Sequence, residues 1–204
     1  MEWTEVVGRR RMTRDFETTA VEDDVLLRML DRARRVPSAG FSQGTDFVVL
    51  RGADTAQFWE HTLPVESRAS FRWPGLLRAP LIVLPIADAP AYVERYNRPD
   101  KQASGLGAAE GAWPVPYWFI DTGMAAMVLL HAVVEEGLGA LFFGIFNNEE
   151  ALLASLGVPQ GRRPIGAIAI GHPTAAERAQ PSGHNSSFRP ARRALDDVVH
   201  YGRW

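Results

Sequence analysis

Apolar residues recur at three- and four-residue steps at Val21, Val25, Leu26, Met29, Leu30, Ala33 and Val36, the spacing of one helical face. Glu22, Asp23 and Asp24 at the start of this stretch and Arg32, Arg34 and Arg35 at its end suit the helix dipole, and Pro37 stops it. Elsewhere the period shortens. Residues 47–50, 81–86, 140–143 and 165–171 are short apolar runs bounded by turn residues, which predict strands. Pro85 within the second run points to an edge or a bulge. Short helices are predicted over 3–7, 55–62, 92–96 and 149–156, whereas 64–73 and 97–116 carry no period.

The segment 117–136 predicts a helix about 30 Å long, apolar nearly all round between Met124 and Val134. A helix without a polar face is buried on every side. In a chain of 204 residues that implies burial against a second subunit as well as the chain's own sheet. Gly123, Ala125 and Ala126 would let another helix come close, and His131 reads as a hydrogen-bonded core histidine. Gly137 ends the helix in the usual way. Helices and strands mix, with connections too varied for repeated parallel crossovers. The expectation is an α+β fold, a mixed β-sheet flanked by helices, forming a single domain over 1–204.

Composition narrows the functions available. Apolar residues make up 46% of the chain, enough for a sizeable core. The net charge of −2 argues against a general nucleic-acid binder. There is no cysteine, so disulfides, thiol catalysis and thiolate metal sites are excluded, and no metal ligands are assigned. No basic region followed by an apolar stretch opens the chain, and the run from Met124 to Val134 is too short to cross a bilayer. The expected compartment is the cytoplasm, with no membrane partner.

Against that near-neutral background one stretch stands out. Arg9, Arg10, Arg11 and Arg14 fall within six residues, with no acid until Asp15 and an aromatic, Phe16, that should bury. Arginine grips phosphate with a planar, permanently charged fork. Bases return in the tail as Arg178, Arg189, Arg192 and Arg193. Residues 37–44 form a loop of small residues around Phe41, the kind of backbone that lets something flat come close. The aperiodic 97–116 ends in Trp113, Tyr117 and Trp118, which suggests a mobile lid over 97–118. Gly105-Leu106-Gly107 is not a dinucleotide fingerprint, because Gly111 is misplaced by one and no strand precedes it.

Taken in order, these stretches resemble the motifs of the FMN-dependent nitroreductase family, and the likeness covers nearly the whole chain. The family's opening Arg-Arg-Ser-x-Arg with a following aromatic stands here as Arg10-Arg11-Met12-Thr13-Arg14-Asp15-Phe16. The resemblance implies that Arg10, Arg11 and Arg14 hold the FMN phosphate and ribityl chain. Met12 replaces the serine and leaves only its backbone. The family's Pro-Ser-x-x-Asn-x-Gln-Pro-Trp is matched by Pro37, Ser38, Ala39 and Gln43, which implies contacts to the flavin ring. Phe41 in place of asparagine, and Gly44-Thr45 in place of Pro-Trp, change the substrate side. A third motif runs from Gly137-Leu138-Gly139 through Phe142 and Phe143 to Gly144, whose backbone N–H would face flavin N5 as the catalytic contact. A fourth, Arg192-Arg193-Ala194-Leu195-Asp196, implies a late arginine reaching the same phosphate as Arg10.

The resemblance further implies an intertwined homodimer with FMN at the interface. Hydride would pass from NAD(P)H through N5 to an electron-poor acceptor, a nitroarene or quinone, in ping-pong order. Phe41, Trp113 and Trp118 would meet the acceptor. Two other readings stand beside it. Gly40-Phe41-Ser42-Gln43 also resembles a branch that fragments its flavin to dimethylbenzimidazole, although Met12 lies where that branch carries an acid. The third reading is a non-enzymatic flavin-binding protein.

Overall fold

The computed structural model describes residues 1–180 and 191–204. The helices are α1 (Trp3–Arg9), α2 (Asp23–Ala33), α3 (Thr55–Thr62), α4 (Val65–Arg68), α5 (Ala89–Tyr96), α6 (Tyr117–Glu135), α7 (Glu149–Ser155) and α8 (Ala175–Ala179). The strands are β1 (Thr45–Arg51), β2 (Leu81–Asp88), β3 (Gly139–Phe143), β4 (Arg162–Pro164) and β5 (Ala167–Gly171). They form one sheet in the order β1-β2-β5-β3, with β4 also paired to β2.

The mixed sheet expected from the sequence is corrected here: among the described residues every strand pair is antiparallel, and the only parallel contact is an isolated bridge between Met12 and Ala140. The misleading signal was the unbroken apolar character of β2 and β5, buried along their whole lengths. Such runs typify parallel sheets because both faces are covered. In this chain helices cover both faces of an antiparallel sheet. Leu81, Val83, Ile168 and Ile170 point to one core with α2 and α6. Ile82, Leu84, Ala167 and Ala169 point to the other with Phe58 and Trp59 of α3 and Leu152 of α7.

Pro85 sits in the middle of the sheet, opposite Phe47, so the bulge expectation holds and the edge does not. Leu84 and Pro85 face three residues, Ile165, Gly166 and Ala167, between β4 and β5. Pro85 accepts a hydrogen bond on its carbonyl from the Ile165 N–H at 3.1 Å. N and C=O of one strand residue point the same way, so the missing N–H of Pro85 falls where the bulge interrupts the ladder.

Gly137, with φ of 74°, and Leu138 close α6 by donating to the Val134 and Val133 carbonyls, the usual glycine-terminated cap. α6 is long and apolar enough to cross a membrane by length and composition, beyond the shorter run judged from sequence, yet more than half of it is buried in the fold. Its burial is one-sided. Ala125, Ala126, Leu129 and Val133 face the chain's own core, whereas Ile120, Met124 and Met127 are exposed. Ala126 packs in the core shared with α2, so the helix that comes close there is the chain's own, whereas Gly123 has open space beside it.

The bulge yields a test. Gly166 has φ of 143°, and a Cβ there would lie 2.6 Å from the Phe143 carbonyl oxygen and 2.8 Å from the Phe142 ring. Gly166→Ala should destabilise the fold by about 2 kcal/mol or more. Gly8→Ala, a change within α1 that meets nothing within 4 Å, should be neutral or stabilising by up to about 1 kcal/mol. Urea unfolding of both variants measures the difference.

Candidate functional site

The basic segment is laid out by its neighbours. Phe16 is fully buried and draws the chain down after α1. The Thr13 N–H donates to the Ala140 carbonyl at 2.8 Å, and the Glu17 N–H donates to the His172 carbonyl at 2.8 Å. Met12 and Thr13 thus meet the edge of β3 that β5 leaves open, and residues 14–17 continue beside the segment that follows β5. A Cβ on Gly139 would come within 2.4 Å of the Thr13 hydroxyl, so only glycine lets the segment this close.

Extension along that edge sends alternate side chains to opposite sides. The Arg14 guanidinium lies 5.2 Å from the centre of the Trp73 ring, and its Nη1 donates to the Met12 carbonyl at 3.2 Å. Arg10 lies near enough to His131 for its charge to act on the imidazole. Arg11 goes elsewhere: with Arg9, Thr13 and Arg178 it lines a separate cleft of about 480 Å³. The three arginines expected on one phosphate are therefore not all brought together. Arg72, which the sequence reading passed over, also rests on Trp73, at 5.3 Å. The available signal was Phe71-Arg72-Trp73, a cation between aromatics in a stretch with no period.

The loop after α2 is built more tightly than a connector. Ala39–Phe41 makes one short helical turn, and Gly40, Phe41 and Gln43 all have positive φ. Ser38 Oγ accepts from the Gln43 N–H at 2.9 Å, and Arg95 Nε donates to the Gly40 carbonyl at 2.8 Å. The Ala39 N–H donates to Asp121 Oδ2 at 2.9 Å, which also accepts from the Tyr92 hydroxyl at 2.6 Å. Asp121 is only 2% exposed. Burial, then the adjacent carboxylate, pushes the Tyr92 hydroxyl far above the ordinary phenol range, so it stays a donor. Sequence reading missed Asp121 because it lies in an otherwise apolar helix. Gly44 has a structural reason of its own: a Cβ would lie 2.5 Å from the Tyr92 ring.

Ser38, Gln43, Thr45 and Asp121 line a cleft of about 480 Å³ with Arg34, Arg35 and Phe41. Phe41 is 71% exposed and also borders a second cleft of about 420 Å³ beside Arg95 and Arg98. Pro37 is exposed at the loop entrance. Trp113 and Trp118 are placed differently from the expectation that they meet an acceptor. Both are buried around Tyr92, with ring centroids 5.8 and 6.0 Å from it, and they anchor the 97–118 segment from beneath.

At the end of β3, the Phe143 ring lies flat against Trp59 at 5.9 Å and edge-on to Phe58 at 5.7 Å, while Phe142 packs against the opposite core. Their side chains are partly buried; their backbone and that of Gly144 follow the open edge. Arg192 and Arg193 lie in the tail, where Arg193 bonds locally to the Asp197 carbonyl. Arg189 falls outside the described residues. His131 is not the hydrogen-bonded core histidine expected: its Nε2 is buried without a partner among the described residues, and its ring meets Trp3 edge-on at 4.7 Å. Burial, with Arg10 adding to it, lowers its pKa and favours the neutral imidazole. Asp121 and His131 are ten residues apart on α6, about 15 Å along the axis. The loop and the basic segment therefore sit at two stations of one helix.

The sequence pattern of the nitroreductase family matches residues 7–172. The chain is similar, at 22% identity over 100% of its length and 88% of the relative's, to a Methanothermobacter thermautotrophicus protein provisionally named NADH dehydrogenase/NAD(P)H nitroreductase. Its fold matches a provisionally named nitroreductase of Exiguobacterium sibiricum solved in complex with FMN, with a TM-score of 0.73, 16% identity, and coverage of 98% of this chain and 97% of that one. It also matches CLA-ER, an enone reductase of gut-bacterial fatty acid saturation, with a TM-score of 0.71, 21% identity, and coverage of 98% and 97%. The chain belongs to the nitroreductase family.

Asp121 is testable apart from any ligand. Asp121→Ala leaves the Ala39 N–H and the Tyr92 hydroxyl without their acceptor, each loss worth about 1–3 kcal/mol. Tyr92→Phe removes only one donor and should be milder, about 1 kcal/mol. Denaturant melts should rank the two in that order.

Proposed function

We propose that this chain is an FMN-dependent oxidoreductase that takes hydride from NAD(P)H and gives it to an electron-poor acceptor such as a nitroarene or quinone. The carrying observation is the charge balance of the basic segment. Most described arginines pair with carboxylates, as Arg28 and Arg32 do with Glu136 and Arg162 with Asp88. Arg10, Arg14 and Arg72 have no such partner among the described residues, and Arg14 and Arg72 converge on one indole. Clustered cations without counter-ions fit a dianionic phosphate.

Arg10 and Arg14 hold that phosphate, with Arg192 and Arg193 reaching it from the tail and Met12 contributing backbone alone. Pro37, Ser38, Ala39 and Gln43 form the bed for the ring system, fixed by Asp121. The backbone of Phe142 and Phe143 leads to Gly144, whose N–H serves as donor toward N5. Bound FMN supplies the hydride chemistry, with donor and acceptor using one face in turn. Phe41 is an apolar wall for the acceptor, and 97–118 is its cover, with Trp113 and Trp118 anchoring the cover from below.

The site is completed by a homodimer. Ile120, Met124 and Met127 leave an apolar stripe on α6, and the tail exposes Leu195, Tyr201 and Trp204. A second copy covers both.

Binding of FMN and riboflavin, followed by flavin fluorescence quenching, tests the cofactor. FMN should bind at least about tenfold more tightly, since each lost charge-assisted bond is worth about 1.5–3 kcal/mol. Arg10→Ala and Arg14→Ala should erase the difference, and Arg11→Ala should leave most of it. NAD(P)H should bleach the bound flavin, and a nitroarene or quinone should restore its colour; irreversible loss of the flavin spectrum in oxygen would instead mark a flavin-fragmenting enzyme.

For the assembly, light scattering should give a dimer at micromolar concentration. Met127→Glu, which places a charge on the exposed stripe, should yield a folded monomer; a wild-type monomer carrying flavin would refute the arrangement.

A further inference from the structure

Residues 144–148 join β3 to α7. Phe143 and Ile145 pack into the core that holds Phe58, Trp59 and Leu152, whereas Phe146 turns outward and is 90% exposed. The loop that carries it is pinned. Asn147 Nδ2 donates to the Thr62 carbonyl at 3.2 Å, and Asn148 Nδ2 donates to the His61 carbonyl at 2.9 Å. Both acceptors lie in the last turn of α3, where helix carbonyls lack partners within the helix. Asn148 is left-handed, with φ of 50°, and opens α7. A side chain on a loop fixed in this way loses little further freedom when a ligand meets it.

The ring also has a defined seat. A Cβ on Gly144 would fall 2.6, 2.8 and 3.1 Å from Phe146 Cζ, Cε1 and Cε2. The outer edge of the ring therefore rests on the Gly144 backbone, and its faces stay open to solvent. A side chain at position 144 would displace it. A lone exposed aromatic is ordinary on a protein surface. This one stands on the peptide proposed above as the donor to flavin N5, the atom that passes hydride to the acceptor.

Given that flavin site, on which this depends, we propose that Phe146 is a specificity-determining residue that favours flat aromatic acceptors. An aromatic acceptor at N5 meets the open Phe146 ring in an offset or edge-on contact, which is worth about two- to tenfold in kcat/KM. Ferricyanide, a compact octahedral anion that takes one electron at a time, has no flat face to offer and gains nothing from the ring.

Two measurements test this, the first without turnover. The full chain, loaded with FMN and labelled with 4-fluorophenylalanine, is titrated with nitrobenzene in the absence of NAD(P)H. Phe146→Ala identifies the Phe146 fluorine signal. That signal should shift saturably with nitrobenzene and stay in place with nitromethane, which carries the same nitro group on no ring. The second is stopped-flow reoxidation of the NAD(P)H-reduced enzyme. In Phe146→Ala the ratio of the nitrobenzene rate to the ferricyanide rate should fall about threefold or more, and Phe146→Trp should restore it. The assignment is overturned by a fluorine signal indifferent to nitrobenzene, by an unchanged ratio, or by light scattering that shows Phe146→Ala to be monomeric where the wild type is dimeric, which would make the ring an assembly contact. A wild-type flavin that NAD(P)H never bleaches overturns the flavin site and this assignment together. A bleached flavin with an indifferent Phe146 overturns the assignment alone.

Discussion

The hydrogen bond from the Thr13 N–H to the Ala140 carbonyl joins the basic segment to the open edge of β3, and the candidate site is built outward from it. An edge strand offers unsatisfied backbone groups; Met12 and Thr13 meet that edge at Ala140, and residues 14–17 turn to the segment after β5. Phe16 buries below and Gly139 gives the Thr13 side chain room. Without this contact the arginines would belong to a solvated leader, as their spacing alone allows. With it, Arg14 is delivered to Trp73 and Arg10 to the far half of α6.

Charge pairing divides the arginines of this chain into two populations. Along α2 and near the sheet ends they meet carboxylates, some on the surface, as in Arg34 with Asp31, where each pair contributes little, and some largely buried, as in Arg162 with Asp88. Arg10, Arg14, Arg72 and Arg68 have no carboxylate among the described residues. A guanidinium cannot shed its proton to escape an unfavourable setting. Exposed guanidinium groups are met by water, so a missing carboxylate alone marks no site; what sets Arg14 and Arg72 apart is the indole they share. An aromatic platform carrying two guanidinium groups suits a dianion.

The loop from Ser38 to Gln43 stores strain, since Phe41 and Gln43 are left-handed without being glycine. Such conformations persist only where surroundings over-determine them. Asp121, Arg95 and the Ser38 hydroxyl supply that restraint from three directions. The buried pair of Asp121 and Tyr92 ties the loop to α5 and α6, so the aromatic packing of Trp113 and Trp118 reaches the loop through Tyr92. The loop, α5 and α6 are thereby joined through one buried hydrogen-bonded pair.

Local chemistry made much of this legible from sequence. The α2 period, the strand runs, the glycine cap of α6, the bulge at Pro85 and the order of the family motifs all follow from neighbours within a few residues, where sterics and hydrogen bonding act directly. The tertiary structure decided what depends on partners distant in sequence. It made the sheet antiparallel, because helices on both faces allow unbroken apolar strands in either direction. It separated Arg11 from Arg14, because alternation along an edge is invisible until the edge is known. It turned Trp113 and Trp118 into anchors and brought in Arg72, Trp73 and Asp121, whose meaning rests on contacts many residues away. Periodicity reports which face of an element is apolar; only packing decides which neighbour that face, or a lone charge within it, will meet.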